Sequence, residues 1–352
     1  MIPIAFKIID KFNIYDSQDE RKTHKGKIGF LGGIVIFTSF YLSYGICFPS
    51  SLTRPCFSHN LIMSLFAIFI LGFADDFLNY NSTKKFLVQF CISSIFIIKS
   101  GLLINFHEIL PFIPASTILN GILTIVSISL VINSMNLIDG ADGVATSIGI
   151  IAGLIFSIIF VYNKDFYFAT LAISLTGSLI GFLYYNKPNA KIYMGDSGST
   201  FIGMLLSIFI LHFINNGSSL ITNANHLNLK ISFGIISVPL LDMVRVMFTR
   251  IFKGNNPFSG DRNHIHHKLQ EIGLSKTYVI FFIVVINLLN LSIAFNSQNL
   301  YNYIAFSFLL YGMIIFALNV FRSTIVNELN NYSINRDKIR SELSKNKERI
   351  HN

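Results

Sequence analysis

The sequence predicts an all-α, polytopic integral membrane protein of about ten transmembrane helices, with its chemistry gathered at the cytoplasmic face. Three observations carry that prediction. The 352 residues are 52% hydrophobic, include 35 Phe, and carry only 13% charged side chains, far from the charge-rich balance of a soluble domain. Apolar runs near the ~20 residues needed to cross a bilayer follow one another from residue 28 to residue 321. Finally, Lys and Arg are distributed unevenly between alternate loops.

Residues 1–27 are mixed and basic, with Arg21, Lys22, Lys25 and Lys27 crowding the end, and read as a cytoplasmic N-terminal segment. Residues 28–321 form the membrane region, with spans expected at 28–48, 60–74, 86–104, 117–135, 144–162, 166–186, 198–216, 231–250, 277–296 and 301–321. From Arg322 to Asn352 the chain alternates Lys, Arg, Asp and Glu, as a charged cytoplasmic tail would. No cleavable signal peptide is apparent at the start.

With the N-terminus in the cytoplasm, the outer loops receive only Arg54, Lys99, Lys164 and Lys230. Every other basic residue except Arg245, which lies inside a span, falls on the inner side. The net charge of +9 therefore reports topology and not a nucleic-acid surface. Cys47, Cys56 and Cys91 form no C-x-x-C pair, which argues against zinc. Cys47 and Cys56 flank a short outer loop and have the option of pairing there, although unpaired thiols are the simpler reading.

The same topology places four polar motifs on the inner face. Asp75 and Asp76 end the second span, and adjacent carboxylates call for a cation or a shared proton; a solvated acidic helix end is the plain alternative. In Asn133-Ser-Met-Asn-Leu-Ile-Asp-Gly-Ala-Asp-Gly143, the residues Asn133, Asn136, Asp139 and Asp142 recur every third position along one helix side. A cap and glycine turn would explain one Asp and one Gly, not two of each with two Asn. Lys191–Thr200 joins Asp196 to Gly195, Gly198 and three hydroxyls just before a span, where a helix N-terminus favours an anion. Ser259–Lys268 holds His264, His266 and His267 beside Arg262 and Lys268, which suits anion binding better than zinc; a solvated loop is the alternative. Asp242 and Arg245, three apart in a span, read as a self-neutralising structural pair. Gly177-x-x-x-Gly181 reads as a helix-packing face.

Together these motifs resemble the polyprenyl-phosphate N-acetylhexosamine-1-phosphate transferase superfamily, of the glycosyltransferase family 4 type. The similar stretches are Arg21-Lys-Thr-His24 with Gly32-Gly33, then Asp75-Asp76, Asn133–Gly143, Met194–Ser199 and His264–His267, which span nearly the whole chain. The resemblance implies transfer of a sugar-1-phosphate from a UDP-N-acetylhexosamine to undecaprenyl phosphate with release of UMP, beginning a cell-surface polysaccharide. It implies Mg²⁺, with Mn²⁺ as a second choice, at Asp196 with Asn136 as neighbour. Asp75, Asp76, Asp139 and Asp142 take catalytic roles, and Arg21, His24, Asn133, Arg262, His264, His266 and His267 take substrate-binding ones. His-Ile-His-His is similar to the branch using UDP-GlcNAc. The alternative branch, phospho-N-acetylmuramoyl-pentapeptide transferase of peptidoglycan synthesis, carries three consecutive histidines.

The family location is the bacterial inner membrane, with membrane lipid and possible self-association as a homodimer among the expected partners and no nucleic acid. One departure is plain: the family has eleven spans and this chain ten, so either a first helix is absent or the true start lies upstream. From another class, an ion-coupled transporter would need polar residues near the bilayer midplane and an internal repeat. The acids here cluster at one face and no repeat stands out.

Overall fold

Each predicted apolar segment is helical in the computed structural model, which describes residues 1–15, 28–47, 55–216, 224–256 and 263–324. The helices are α1 (Ile2–Phe12), α2 (Gly32–Cys47), α3 (Pro55–Leu78), α4 (Ser82–Ser100), the short α5 (Phe106–Ile109), α6 (Thr117–Ile138), α7 (Val144–Tyr162), α8 (Phe166–Asn186), α9 (Gly195–Asn216), α10 (Ala224–Ile235), α11 (Ser237–Phe252), α12 (Ile265–Glu271) and α13 (Lys276–Asn296). The last, α14, runs Leu300–Thr324. The described residues contain no strand, only isolated bridges that link Gly29 to Tyr15 and to Ile192.

Among the described residues, seven helices are long and apolar enough to cross a membrane, or eight if α10 and α11 count as one broken span. Of the other two predicted spans, α2 is only 16 residues long, and α4 carries Lys84, Lys85 and Lys99. Phe281, Phe282, Phe295, Phe308 and Phe316 are exposed on α13 and α14, which is the natural surface of a protein solvated by lipid. The molecule is a polytopic membrane protein.

The segment 231–250, expected as one span, is instead broken at Ile236 with a bend of 78°. Pro239 has no N–H to give and sits in the first turn of α11, where that loss is tolerated. Asn287 of α13 serves the groups freed by the break: its Oδ1 accepts from Val238 N at 3.1 Å and Ser237 Oγ at 3.2 Å, and its Nδ2 donates to Ile235 O at 2.7 Å. Buried non-helical backbone in a membrane domain requires such partners.

The N-terminal segment also differs from a featureless cytoplasmic stretch. Residues 2–12 form an amphipathic helix that buries Ile2, Ala5 and Ile9. Phe6 packs edge-on to Tyr185, 5.9 Å between ring centres.

Helix α9 is the axis of the bundle, buried without interruption from Ser197 to Phe213, and α2, α3 and α6 pack around it. The approach of α3 is close: a Cβ at Gly72 would stand 2.5 Å from the carbonyl oxygen of Asp196 and 2.6 Å from Thr200 Oγ1. That crossing brings Asp75 and Asp76 to the start of α9. The Gly177/Gly181 face, by contrast, is exposed with open space in front of both residues. The reading of that pair as a packing face within the chain is therefore corrected. The α7–α8 contact uses Gly153 of α7, whose Cβ would strike Thr176. Cys47 and Cys91 are free and exposed, while the side chain of Cys56 lies outside the described residues.

Candidate active site

The site is built on the first turn of α9. Its free backbone N–H groups are capped from another helix: Asp76 Oδ1 accepts from Asp196 N at 2.6 Å, and Oδ2 accepts from Ser197 N at 3.1 Å and Ser197 Oγ at 2.7 Å. Gly195 permits this. Its φ is +72°, and a Cβ there would lie 2.9 Å from both Asp76 carboxylate oxygens. On the other side, Tyr193 N donates to Gly29 O at 2.9 Å and Gly32 N to Tyr193 O at 3.0 Å, so residues 29–32 brace the loop that precedes α9.

Asp196, half-buried on that turn, faces two groups. Asn136 donates its amide to Asp196 Oδ1 at 2.6 Å and to Ser199 Oγ at 2.9 Å. The Lys85 ammonium bridges Asp196 Oδ2 and Asp75 Oδ2, the latter at 2.8 Å. Asp75 also accepts from Tyr80 N at 2.7 Å, which fixes its carboxylate.

The turn between α6 and α7 forms the facing wall. Asp142 is held by Lys276 Nζ at 2.9 Å and by Ala190 N at 3.4 Å. Buried Asn186 locks the turn to α8, accepting from Gly143 N at 3.1 Å and Thr146 Oγ1 at 2.7 Å while donating to Ile192 O at 3.0 Å. Asp139 is the one carboxylate of this group with no hydrogen bond or ion pair among the described residues. Burial, with Asp196, Asp76 and Asp142 close by, raises its pKa well above the ordinary carboxylate range.

The histidine loop closes the site from a third side. Asp242 forms the expected pair with Arg245 at 2.7 Å, and it also accepts from His264 Nδ1 at 2.8 Å and from Ile265 N at 3.2 Å. His266 is 1% exposed, and neither ring nitrogen has a hydrogen-bond partner among the described residues. Burial, reinforced by His267 and His264, pushes its pKa down to about 3, so it is neutral across the physiological range. His267 stacks obliquely on it, with ring centres 4.2 Å apart, and reaches the cavity.

These parts enclose a cavity of about 410 Å³ whose wall includes Asp75, Asp76, Asp139, Asp142, Asp196 and His267. A second cavity of about 240 Å³ adjoins it, with Asp75 and Tyr80 on the walls of both. That second space is lined by Lys85, Arg250, Asn133 and Asn136, and by the apolar Phe86, Leu130, Leu137, Met243 and Met247. Asn133 belongs to it, its amide tied to Gln89 Oε1 at 2.8 Å. Arg21, His24 and Arg262 lie outside the described residues.

Comparison with known proteins decides the family. Residues 59–214 match the profile of glycosyl transferase family 4. A protein of Bacillus subtilis (strain 168), a "probable undecaprenyl-phosphate N-acetylglucosaminyl 1-phosphate transferase", is 30% identical over 81% of this chain and 77% of its own length. The chain belongs to glycosyl transferase family 4. The undecaprenyl-phosphate alpha-N-acetylglucosaminyl 1-phosphate transferases of Yersinia pestis and Escherichia coli (strain K12) are 27% and 25% identical, each over 80% of this chain and 76% of their own length.

In this family 4 transferase the carboxylates singled out from sequence do meet at one cavity. The residues missed are those that neutralise or brace them: Lys85 and Lys276 supply the charge, Tyr80 N bonds Asp75, and Asn186 locks the turn that carries Asp142. Lys85 follows Asp75 by ten positions, beside Lys84 in the polar stretch before the next span, and belongs to no recognisable spacing, so it reads only as a basic inner-loop residue. The donor set suits a hard divalent cation, because the acidic cavity wall offers carboxylate oxygens and an ammonium already bridges Asp75 to Asp196. No three His, Cys, Asp or Glu side chains among the described residues converge as a ready-made cage.

Proposed function

We propose that this transferase moves N-acetylglucosamine-1-phosphate from UDP-GlcNAc to undecaprenyl phosphate at the cytoplasmic face of the bacterial inner membrane, releasing UMP. The observation that carries the reading is the pair of adjoining cavities with Asp75 at their shared wall. One is polar and acidic, and the other mixes two buried cations with Met and Phe side chains. A donor that carries diphosphate and sugar suits the first, and an amphiphilic phosphate suits the second. The related transferases of Bacillus, Yersinia and Escherichia are named for the same acceptor and sugar.

Asp196, its carboxylate oriented by Asn136, would hold Mg²⁺, with Asp139 on the wall of the same cavity, and the ion would supply the positive field that two anionic phosphates need. Lys85 and Arg250 draw the acceptor phosphate toward Asp75. Asp75 takes its remaining proton, and the freed oxygen attacks the β-phosphorus. The bond from that phosphorus to the bridging oxygen breaks, and UMP leaves with the electron pair. His267 and the neutral His266 shape the donor side, while Asp142, clamped by Lys276, holds the facing turn still. Positioning and charge neutralisation supply the catalysis.

The test is to incubate the purified protein with Mg²⁺, undecaprenyl phosphate and a panel of UDP-sugars that includes UDP-GlcNAc and UDP-N-acetylmuramoyl-pentapeptide. UMP release with UDP-GlcNAc is expected. No release with any donor would sink the assignment, and release only with the pentapeptide donor would move the protein to the other branch.

A further inference from the structure

Helix α14 enters none of the motifs and is the least buried of the long apolar helices. It touches the rest of the protein along a narrow stripe formed by Leu300, Tyr303, Ser307, Tyr311, Ile315 and Leu318. Yet its inner half makes three polar contacts with one small region. The buried Tyr311 hydroxyl donates to Asp242 Oδ1 at 2.8 Å. Asn319 Oδ1 accepts from Lys268 Nζ at 2.8 Å, and Arg322 Nε meets Glu271 Oε2 at 3.1 Å. Asp242 is the residue that holds His264 Nδ1 and Ile265 N, and Lys268 and Glu271 belong to α12 itself. All three contacts therefore bear on the short helix that carries His266 and His267.

We infer that α14 positions the histidine loop, with Tyr311 and Asn319 as positioning residues that act on the donor side without touching substrate. This rests on the reading of that loop as the donor side. The physical case is economy of contact. Most of α14 faces lipid, and a helix in lipid gains nothing from hydrophobic burial against its neighbours. Its polar contacts therefore decide where it docks. Asp242 gathers Arg245, His264, Ile265 N and Tyr311 on two carboxylate oxygens, so loss of the Tyr311 hydroxyl loosens the acceptor that fixes the start of α12. The loop is short, and a small displacement at His264 moves His266 and His267 with it.

The experiment uses the full-length protein in lipid nanodiscs with Tyr311→Phe, Asn319→Ala, His264→Ala and the Tyr311→Phe/His264→Ala double variant. Tyr311→Phe is expected to raise KM for the UDP-sugar about tenfold, the scale of one hydrogen bond to a charged group, with KM for undecaprenyl phosphate unchanged. Asn319→Ala should act in the same direction and less strongly. The effects of Tyr311→Phe and His264→Ala should fail to add, because both act through Asp242. An unchanged UDP-sugar KM, equal losses for both substrates, or additive effects would overturn the inference. Amide hydrogen exchange over residues 263–271 gives a reading that needs no turnover. Faster exchange there in Tyr311→Phe, with α9 unaffected, supports the link even if the transferase assay fails with every donor.

Discussion

The two ends of the bundle treat polar groups in opposite ways. At the end away from Asp196, charges close on one another. His212 Nε2 meets Asp165 Oδ2 at 2.7 Å, Asp165 also caps α8 through Phe168 N at 3.2 Å, and Asn105 Nδ2 donates to Glu108 Oε1 at 2.8 Å. At the Asp196 end five carboxylates line one open cavity, two lysines neutralise part of the charge, and Asp139 has no hydrogen bond or ion pair among the described residues. The first pattern is what a membrane protein does with polar groups it needs only for capping. The second leaves negative charge unbalanced beside a cavity, which costs stability and is retained where a ligand or ion completes it.

The largest effect should come from Asp196→Asn. Transfer should fall by at least about a hundredfold, the scale of losing one principal electrostatic group, while melting temperature and helicity stay near wild type. Wild-type turnover in that variant would remove Asp196 from the centre of the site. Lys85→Met comes next. It leaves Asp75 and Asp196 facing each other without their shared cation, and breaking a buried pair costs about 3–5 kcal/mol. Thermal unfolding in detergent, read with and without added Mg²⁺, checks both the loss and its partial recovery by the ion.

A smaller effect follows from His266. Its folded pKa of about 3 lies below that of the unfolded chain, so between these values the unfolded state binds the extra proton. The stability this group contributes is fully present above about pH 6.5 and is lost as pH falls toward 3, by up to about 1.4 kcal/mol per pH unit. Melting temperature measured from pH 7 to pH 4 should fall less steeply in His266→Gln. Equal slopes would show that His266 titrates normally. The smallest effect belongs to the opposite end: Asp165→Ala should cost about 1 kcal/mol through the lost α8 cap and leave the transfer kinetics unchanged. Lost activity there would contradict the division between the two ends.

Periodicity made the helices readable, since an apolar run of membrane length has few other folds open to it. The expected bounds 144–162 and 166–186 coincide with α7 and α8. Where the prediction failed, a local rule was overruled by a distant residue. The break at Ile236 is supported by Asn287, fifty positions away, and Pro239 alone did not announce it. The exposed Gly177/Gly181 face shows the converse, because a spacing suited to close packing does not say whether a partner is present. Among site residues, the carboxylates stood out because charge is rare in apolar sequence. Asp76 was read as chemistry, and what the fold adds is its grip on the first turn of α9.

Hydropathy and charge are properties of each residue and its near neighbours, so the class of molecule and the acidic inventory of its site are legible along the chain. Which carboxylate is a cap and which is paired with a lysine became visible only once the helices were packed. Those distinctions depend on contacts between residues more than a hundred positions apart, such as Asp76 with Ser197 and Lys85 with Asp196. They exist because glycines let α3 approach the start of α9 closely enough for side chains of both to share one turn.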